Sequence, residues 1–335
     1  MRGRRFLFFF YLFVVIIIGA VALLPTIIIG NLVDHVLYQT GQFTWLETIL
    51  RITADTSRND RLIRYVLAVA IVSVFSTGIR YMVHYGLHQI SVNTGAKVRL
   101  ALYDKLQTLS AGFYSKMPSG ELIANLTSDV SLIESLIRDQ SYNWIKSISL
   151  FIFTLYMLFY YNSTLTLILT VFLPVIAVLS AIIYRYTRFL HRRLRDKFSD
   201  MNTYVNENLG AYRVVKAFAR EDYENGRLGS ISEDYRETAV DNTKKRLFVS
   251  TPLHLVSSLM AIFGLCIAAV YVIRGEMTIG ALTVFNSFVF NLQEPIRTIT
   301  TLISQTQQVM VSAQKVYDLY TTEPEVENSL SLQSK

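Results

Sequence analysis

Arg80, His84 and His88 fall about one helical turn apart inside a largely apolar stretch. A second polar series, Asn286, Gln293, Glu294, Arg297, Thr301 and Ser304, marks another such stretch nearer the C-terminal end, with Pro295 among them. Charged side chains are costly inside a bilayer and default to functional positions there. Two chemistries fit these series. One is a hydrogen-bonded seam between helices, worth about 0.6 kcal/mol per bond in membranes. The other is the wall of a water-filled cargo pathway. Glu294 and Arg297 stand i,i+3 and can pair on one helix, which eases the burden of carrying both charges at membrane depth. If that pair is buried, neutralising Glu294 alone costs about 3–5 kcal/mol. Pro295 removes one backbone hydrogen bond and permits a kink.

Several other chemistries are excluded or unsupported. The sole cysteine, Cys266, sits in an apolar run, so no intramolecular disulfide or cysteine-built metal site can form. The histidines (His35, His84, His88, His191, His254) make no H-E-x-x-H pattern. No G-x-x-x-x-G-K-[ST] loop occurs, so these residues have no such cradle for nucleotide phosphates. No metal, catalytic residue or cofactor is expected on this chain. Of the 335 residues 52% are hydrophobic and 17% charged, against about 25% charged in soluble domains. That is a membrane protein's composition. The net charge of +7 is spread along the chain with no basic soluble domain, so no nucleic-acid partner is expected.

The elements that position these residues follow from apolar run lengths, since about 20 residues cross a bilayer as a helix. Six spans are expected, at about 6–30, 62–90, 143–161, 165–186, 252–273 and 279–303. The first follows Arg2, Arg4 and Arg5; it is too long for a signal-peptide core and continues past the small residues that mimic a cleavage site. Between spans 1 and 2, Phe43, Leu46, Ile49 and Leu50 recur at helical spacing and predict a short interfacial helix. Arg192, Arg193, Arg195, Lys197, Lys244, Lys245 and Arg246 lie near membrane ends of the 188–246 segment, whereas the turns at Asn162 and Gly275 carry few basic residues. The long segments and both termini are therefore expected in the cytoplasm. The expected fold is all-α, a polytopic membrane bundle whose six long helices extend into the cytoplasm and end in two tips.

The first tip is Phe113-Tyr114-Ser115-Lys116-Met117, with Pro118, Ser119, Gly120 and Glu121 beyond it. Phe113 and Met117 are i,i+4 neighbours on one short turn, and Ser119 is placed to cap the next helix with Glu121 in its first turn. Either this tip folds back on its own helices, or it is a docking knob. The second tip follows Gly210. Tyr212, Val215 and Phe218 share one helix face there, and Arg213, Lys216 and Arg220 another. A solvated charged face and a groove-docking helix both fit.

These stretches resemble the transmembrane region of ATP-binding-cassette exporters of the six-span type. The resemblance rests on Phe113-Tyr114, Ser119-Gly120-Glu121-Leu122, Asn125-Leu126 and Ser128-Asp129-Val130 at the first tip. At the second it rests on Glu207-Asn208-Leu209-Gly210, Val214-Val215-Lys216-Ala217-Phe218 and Arg220-Glu221. The last-span exit adds Glu294-Pro295-Ile296, Ser312-Ala313 and Val316-Tyr317-Asp318-Leu319. It covers nearly the whole chain and departs at Gln314-Lys315, where the family usually has an arginine. The resemblance implies a type-1 transmembrane domain over 1–320 and a linker over 321–335 toward a nucleotide-binding domain, fused or on a separate chain. It implies coupling helices at Phe113–Gly120 and Gly210–Phe218, ATP and Mg2+ held by that partner domain, and a second transmembrane subunit in a homo- or heterodimer. It also implies a multi-pass place in the plasma membrane and small amphipathic, drug- or lipid-like cargo. The other readings are an ATPase-free transporter or channel, or an inactive truncated remnant. Against the former, Glu294 is the sole strong intramembrane carboxylate, and the long hairpins would have no purpose.

Overall fold

Proline decides where the apolar runs break. Pro25 and Pro174 each lack an N–H, and each ring crowds the carbonyl four residues back. Helix α1 (Arg2–Val21) ends on that very residue, and α2 (Leu24–Leu32) resumes with Pro25 in its first turn. Likewise α9 (Ser163–Thr170) stops four residues before Pro174, and α10 (Phe172–Gly210) restarts after a break at Val171. The span expected over 165–186 lies across α9 and the start of α10. Pro252 and Pro295, by contrast, lie inside the continuous helices α12 (Glu221–Ile273) and α13 (Ile279–Thr321).

The computed structural model describes residues 2–38, 45–50, 52 and 56–322. All regular structure among them is helical. The remaining helices are α3 (Trp45–Ile49), α4 (Arg58–Gln107), α5 (Ala111–Lys116), α6 (Ser119–Ala124), α7 (Val130–Ser135), α8 (Ser141–Tyr161) and α11 (Tyr212–Ala217). The short interfacial helix between spans 1 and 2 corresponds to α3, while Phe43 and the 323–335 stretch of the linker lie outside the described residues. Among the described residues five helical stretches are long and apolar enough to cross a membrane: Phe6–Tyr38, Arg58–Gln107, Ser119–Tyr161, Ser163–Gly210 and Glu221–Ile273. The sixth expected span falls on α13, which is not among those five. Asn286, Asn291, Gln293 and Glu294 dilute its apolar stretch. The fold is an all-α membrane helix bundle.

Two compact units divide the chain. The first comprises residues 1–166 and 264–335. In it α13 packs along α8, and α1 packs on α8 and α4. Its core gathers Val15, Ile18, Val83, Leu87 and Tyr142 at one level, and Leu102, Leu106, Leu122, Val130, Val316 and Leu319 at another. Helix α4 has 50 residues. At 1.5 Å per residue it is about 75 Å long, far more than the ~30 Å of hydrocarbon. Wide π-type turns at Asn125–Asp129 and Leu136–Gln140 interrupt the chain between α6 and α8. Such turns advance the helix register by an extra residue, and here Asn125, Asp129 and Gln140 are all buried.

At the opposite end of this unit, Gly30 on α2 and Gly280 on α13 touch. A Cβ built on Gly280 would meet the Gly30 carbonyl oxygen at 2.1 Å. Asp34 sits beside this crossing, where it accepts the Thr278 hydroxyl at 2.6 Å and the Gly280 N–H at 2.7 Å. It thereby satisfies a backbone donor at the start of α13 with a negative charge. Nearby, the fully buried Glu47 accepts the Tyr65 hydroxyl at 2.6 Å and the Asn31 amide at 3.2 Å, with His35 Nε2 at 3.4 Å.

The second unit, residues 167–263, is an antiparallel hairpin of α10 and α12 with α11 at its bend. Its partners step in opposite directions along the two helices. Phe172 meets Phe263, Asn242 donates to the Leu190 carbonyl at 2.9 Å, and Lys197 pairs with Asp234 at 2.6 Å. Tyr204 then reaches Glu224. Helix α10 has 39 residues, about 58 Å of rod.

Candidate functional site

The first tip is built by a cap, a turn and a proline. Ser110 stands extended before α5 and accepts the Phe113 N–H at 3.4 Å, satisfying one of the orphan donors of the helix start. Helix α5 then lasts six residues and ends at Met117, whose extended backbone leads into Pro118. A residue before proline is pushed out of the helical region, so the stop is dictated locally. The expected cap at Ser119 is not found. Pro118 occupies the N-cap position of α6 without a side-chain bond, and Ser119 is the first residue of that helix. Sequence reading placed the cap one residue late.

Phe113 and Met117 turn inward onto the Leu102–Val130–Leu319 cluster. That portion of the tip folds back. Tyr114 does not: it is 45% exposed and its hydroxyl donates to the Leu106 carbonyl at 2.7 Å. This bond fixes the ring against the end of α4 while its face stays open. Gly120 and Glu121 are exposed beside it, and the Lys116 side chain lies outside the described residues.

The second tip is more open. Tyr212, Val214 and Phe218 on and beside α11 are exposed, Phe218 at 75%, and Val215 is half-buried. The turn out of α11 passes through Ala219 with φ of 51°, a left-handed conformation that a non-glycine residue seldom adopts. Gly210 ends α10 with open space where a Cβ would stand. Of the expected basic face, Lys216 pairs with Glu221 at 2.7 Å and the Arg220 guanidinium lies over the Tyr223 ring. Arg213 is exposed.

One carboxylate organises this bend. Glu224 accepts the Tyr204 hydroxyl and the Asn208 amide, the latter at 2.7 Å, and Arg227 covers the Tyr204 ring. These residues lie well beyond the apolar stretches of α10 and α12. The Tyr204 and Asn208 bonds hold the Glu224 carboxyl below its usual range, because both stabilise the charged form. The Tyr204 phenol is raised, by withdrawal from water and by its bond to Glu224. Cavities of about 480 and 320 Å³ flank α11, and Tyr204 and Glu224 line both.

The two polar series fare differently. On α4, His84 packs on the Tyr142 ring with centroids 4.1 Å apart, whereas Arg80 and His88 are exposed. On α13, the ion pair of Glu294 is with Lys146 of α8 at 3.5 Å, not with Arg297 as its spacing suggested. Helix packing explains the difference, since α8 runs along α13 and brings a cation across. Arg297 and Thr301 are exposed, and Asn286, Gln293 and Ser304 half-buried. Further along α13, the Trp144 indole donates to Thr306 at 3.1 Å, Thr306 donates to Gln140 at 3.2 Å, and Ser312 donates to Asp129 at 2.6 Å. Sequence reading missed this seam. Its partners stand more than 150 positions apart, and only the residue types hinted at it. Among the described residues no cluster of His, Cys, Asp or Glu could hold a metal ion.

A model of the ABC transporter transmembrane region matches residues 8–296. The chain belongs to that family. As an ABC transporter transmembrane region it is 25% identical, over 265 residues, to an ATP-dependent lipid A-core flippase of Desulfotalea psychrophila, covering 78% of this chain and 46% of that protein. It is 27% identical over 249 residues to the flippase of the same description from Pseudomonas putida, covering 74% and 41%. An uncharacterized ABC transporter ATP-binding protein of Bacillus subtilis matches at 25% over 285 residues, covering 83% and 48%. The chain thus spans less than half the length of these relatives.

Proposed function

We propose that this ABC transporter transmembrane region is the membrane half of an ATP-driven exporter that moves amphipathic or hydrophobic, lipid-like compounds out of the cytoplasm by alternating access. One observation carries the reading. At the end of a rod about 58 Å long, α11 turns Tyr212, Val214 and Phe218 outward, and a single turn cannot bury that face itself. A nucleotide-binding domain, fused or separate, supplies the groove, and ATP and Mg2+ sit on that domain. Tyr114, pinned through its hydroxyl, serves the same role at the first tip.

Nucleotide-driven closure of two such domains then loads the tips, and the stiff helices carry the displacement to the bilayer. The working unit is a dimer of transmembrane subunits in the plasma membrane with both chain termini cytoplasmic. The exposed Glu294, Arg297 and Thr301 face contributes to the cargo path, together with Arg80 and His88. The relatives named as lipid A-core flippases support a lipid-like cargo. Photo-crosslinkers at Ser115 and Val214, in native membranes, should join this chain to a polypeptide bearing a P-loop. If neither tip yields such an adduct while both positions remain accessible, the reading fails.

A further inference from the structure

On α10 the apolar face that looks away from α12 runs straight into a basic one. Val178, Arg185 and Arg192 follow at intervals of seven residues, and Ile182 and Phe189 at the same interval beside them. Seven residues are about two helical turns, so each series keeps to one side of the rod. That side is open: Val178 is 58% exposed and Phe189 62%, and both arginines are exposed. The opposite side is buried at Ile176 and Leu190, where the Leu190 carbonyl accepts the Asn242 amide of α12.

Basic residues near membrane ends set orientation by their number; the face they occupy is a separate fact. Arg185, Arg188, Arg192 and Arg195 fall within about a quarter of the helix circumference, and the first acid after Arg185 is Asp196. Arg193 points about a third of the circumference away from their centre. Lysines of the same hairpin are already neutralised, Lys197 by Asp234 and Lys245 by Asp241, each at 2.6 Å. Arg185, Arg192 and Arg195 make no ion pair or hydrogen bond among the described residues. Arg185 ends the apolar stretch of α10, and Arg192 lies about 10 Å further on. These arginines thus bracket a headgroup layer, which is about 5–8 Å deep. A guanidinium meets phosphate oxygens two at a time and sheds water more readily than an ammonium. An apolar face that passes into unneutralised arginines at this level matches one occupant by shape and charge.

We infer that this face of α10 binds an anionic phospholipid of the tip-side leaflet, with its phosphate among Arg185, Arg188 and Arg192 and an acyl chain along Val178 and Ile182. Phe189 stands among the arginines at the membrane–water boundary, where aromatic rings are favoured. The site lies wholly on the second unit, apart from the α13 face assigned to cargo, and it stands whether or not the tips dock an ATPase. Bound lipid would hold α10 at a fixed depth, so leaflet charge would tune how freely the hairpin shifts along the membrane normal.

The test places a benzoylphenylalanine at Phe189 of the full chain, in vesicles of phosphatidylcholine with phosphatidylglycerol at equal amounts. Mass spectrometry of the photo-adducts should show phosphatidylglycerol favoured at least about fivefold, the weight of one basic residue at a charged membrane surface. Changing Arg185, Arg188 and Arg192 together to Gln should bring the ratio to parity, in a chain whose thermal unfolding is unchanged. The same three changed to Lys should keep most of the preference. Arg193→Gln, off the face, should leave it as it was. Parity in the parent chain, or a preference that survives the triple Gln change, overturns the proposal. An equal loss with Arg193→Gln does so too, since diffuse surface charge would then suffice. So do adducts to protein alone, which would mean that a polypeptide covers the face.

Discussion

At the residue scale, two side chains show what spacing can and cannot give. Glu294 and Arg297 are correctly placed for an i,i+3 pair, yet Glu294 takes Lys146 instead. Lys146 and Glu294 are 34% and 59% exposed, and on the water-lined face proposed for the cargo path such a pair belongs near the 0.2–1 kcal/mol of open ion pairs, well below the 3–5 kcal/mol of a buried one. A double-mutant cycle of Lys146→Gln and Glu294→Gln, read by thermal unfolding in detergent, should give a coupling below about 1 kcal/mol. Ala219 had no signature in the sequence at all, because alanine carries no preference for positive φ. Its left-handed backbone already stores about 1 kcal/mol, and a β-branched side chain there clashes further. Ala219→Val should loosen the second tip and raise tryptic nicking after Arg220 several-fold. Ala219→Gly should leave nicking unchanged, since relief of strain and the added freedom of the unfolded chain are of similar size.

At the scale of elements, most of the helices were legible because proline, glycine and apolar run length act locally. The Arg274-Gly275-Glu276 turn is an example, with Gly275 at φ 75° as its position demanded. Junctions between distant elements were not legible. Asp34 reads as the polar end of the first apolar run, and nothing near it announces that its carboxylate will cap α13 some 246 positions away. Asp34→Asn keeps one acceptor oxygen but loses the charge, a loss of about 1–2 kcal/mol for a charge-assisted bond. Amide exchange over Gly280–Thr283 should then quicken about tenfold, while exchange in α10, in the other unit, stays as it was. Equal rates in both proteins would show that the cap at this end is supplied by something other than Asp34.

At the scale of the molecule, loop charge supports one orientation. The prediction uses a Cys266→Ala chain in intact cells. Cysteines at Asn162 and Gly275 should react with an impermeant thiol reagent from outside, and one at Asn225 only after permeabilisation. The opposite pattern would place the α11 bend outside the cell and remove any access to cytoplasmic ATPase domains. The division into two units was only half visible. Sequence showed a second long hairpin after the fourth span, but not that it forms a contact cluster of its own. Contact density is a property of which faces meet, and apolar periodicity names the faces without naming their partners.

The indole of Trp144, bonded to Thr306 across the seam between α8 and α13, makes the chain its own optical instrument. Only two tryptophans are present, so Trp45→Phe leaves a single emitter at the contact of two helices. Losing that bond to Thr306 and admitting water would shift its emission to the red. Sliding of α13 on α8 during a transport cycle would therefore be visible in unlabelled protein, in real time. Thr306→Val supplies the calibration: it removes the acceptor with little change in shape, and its spectrum marks the unbonded end of the scale.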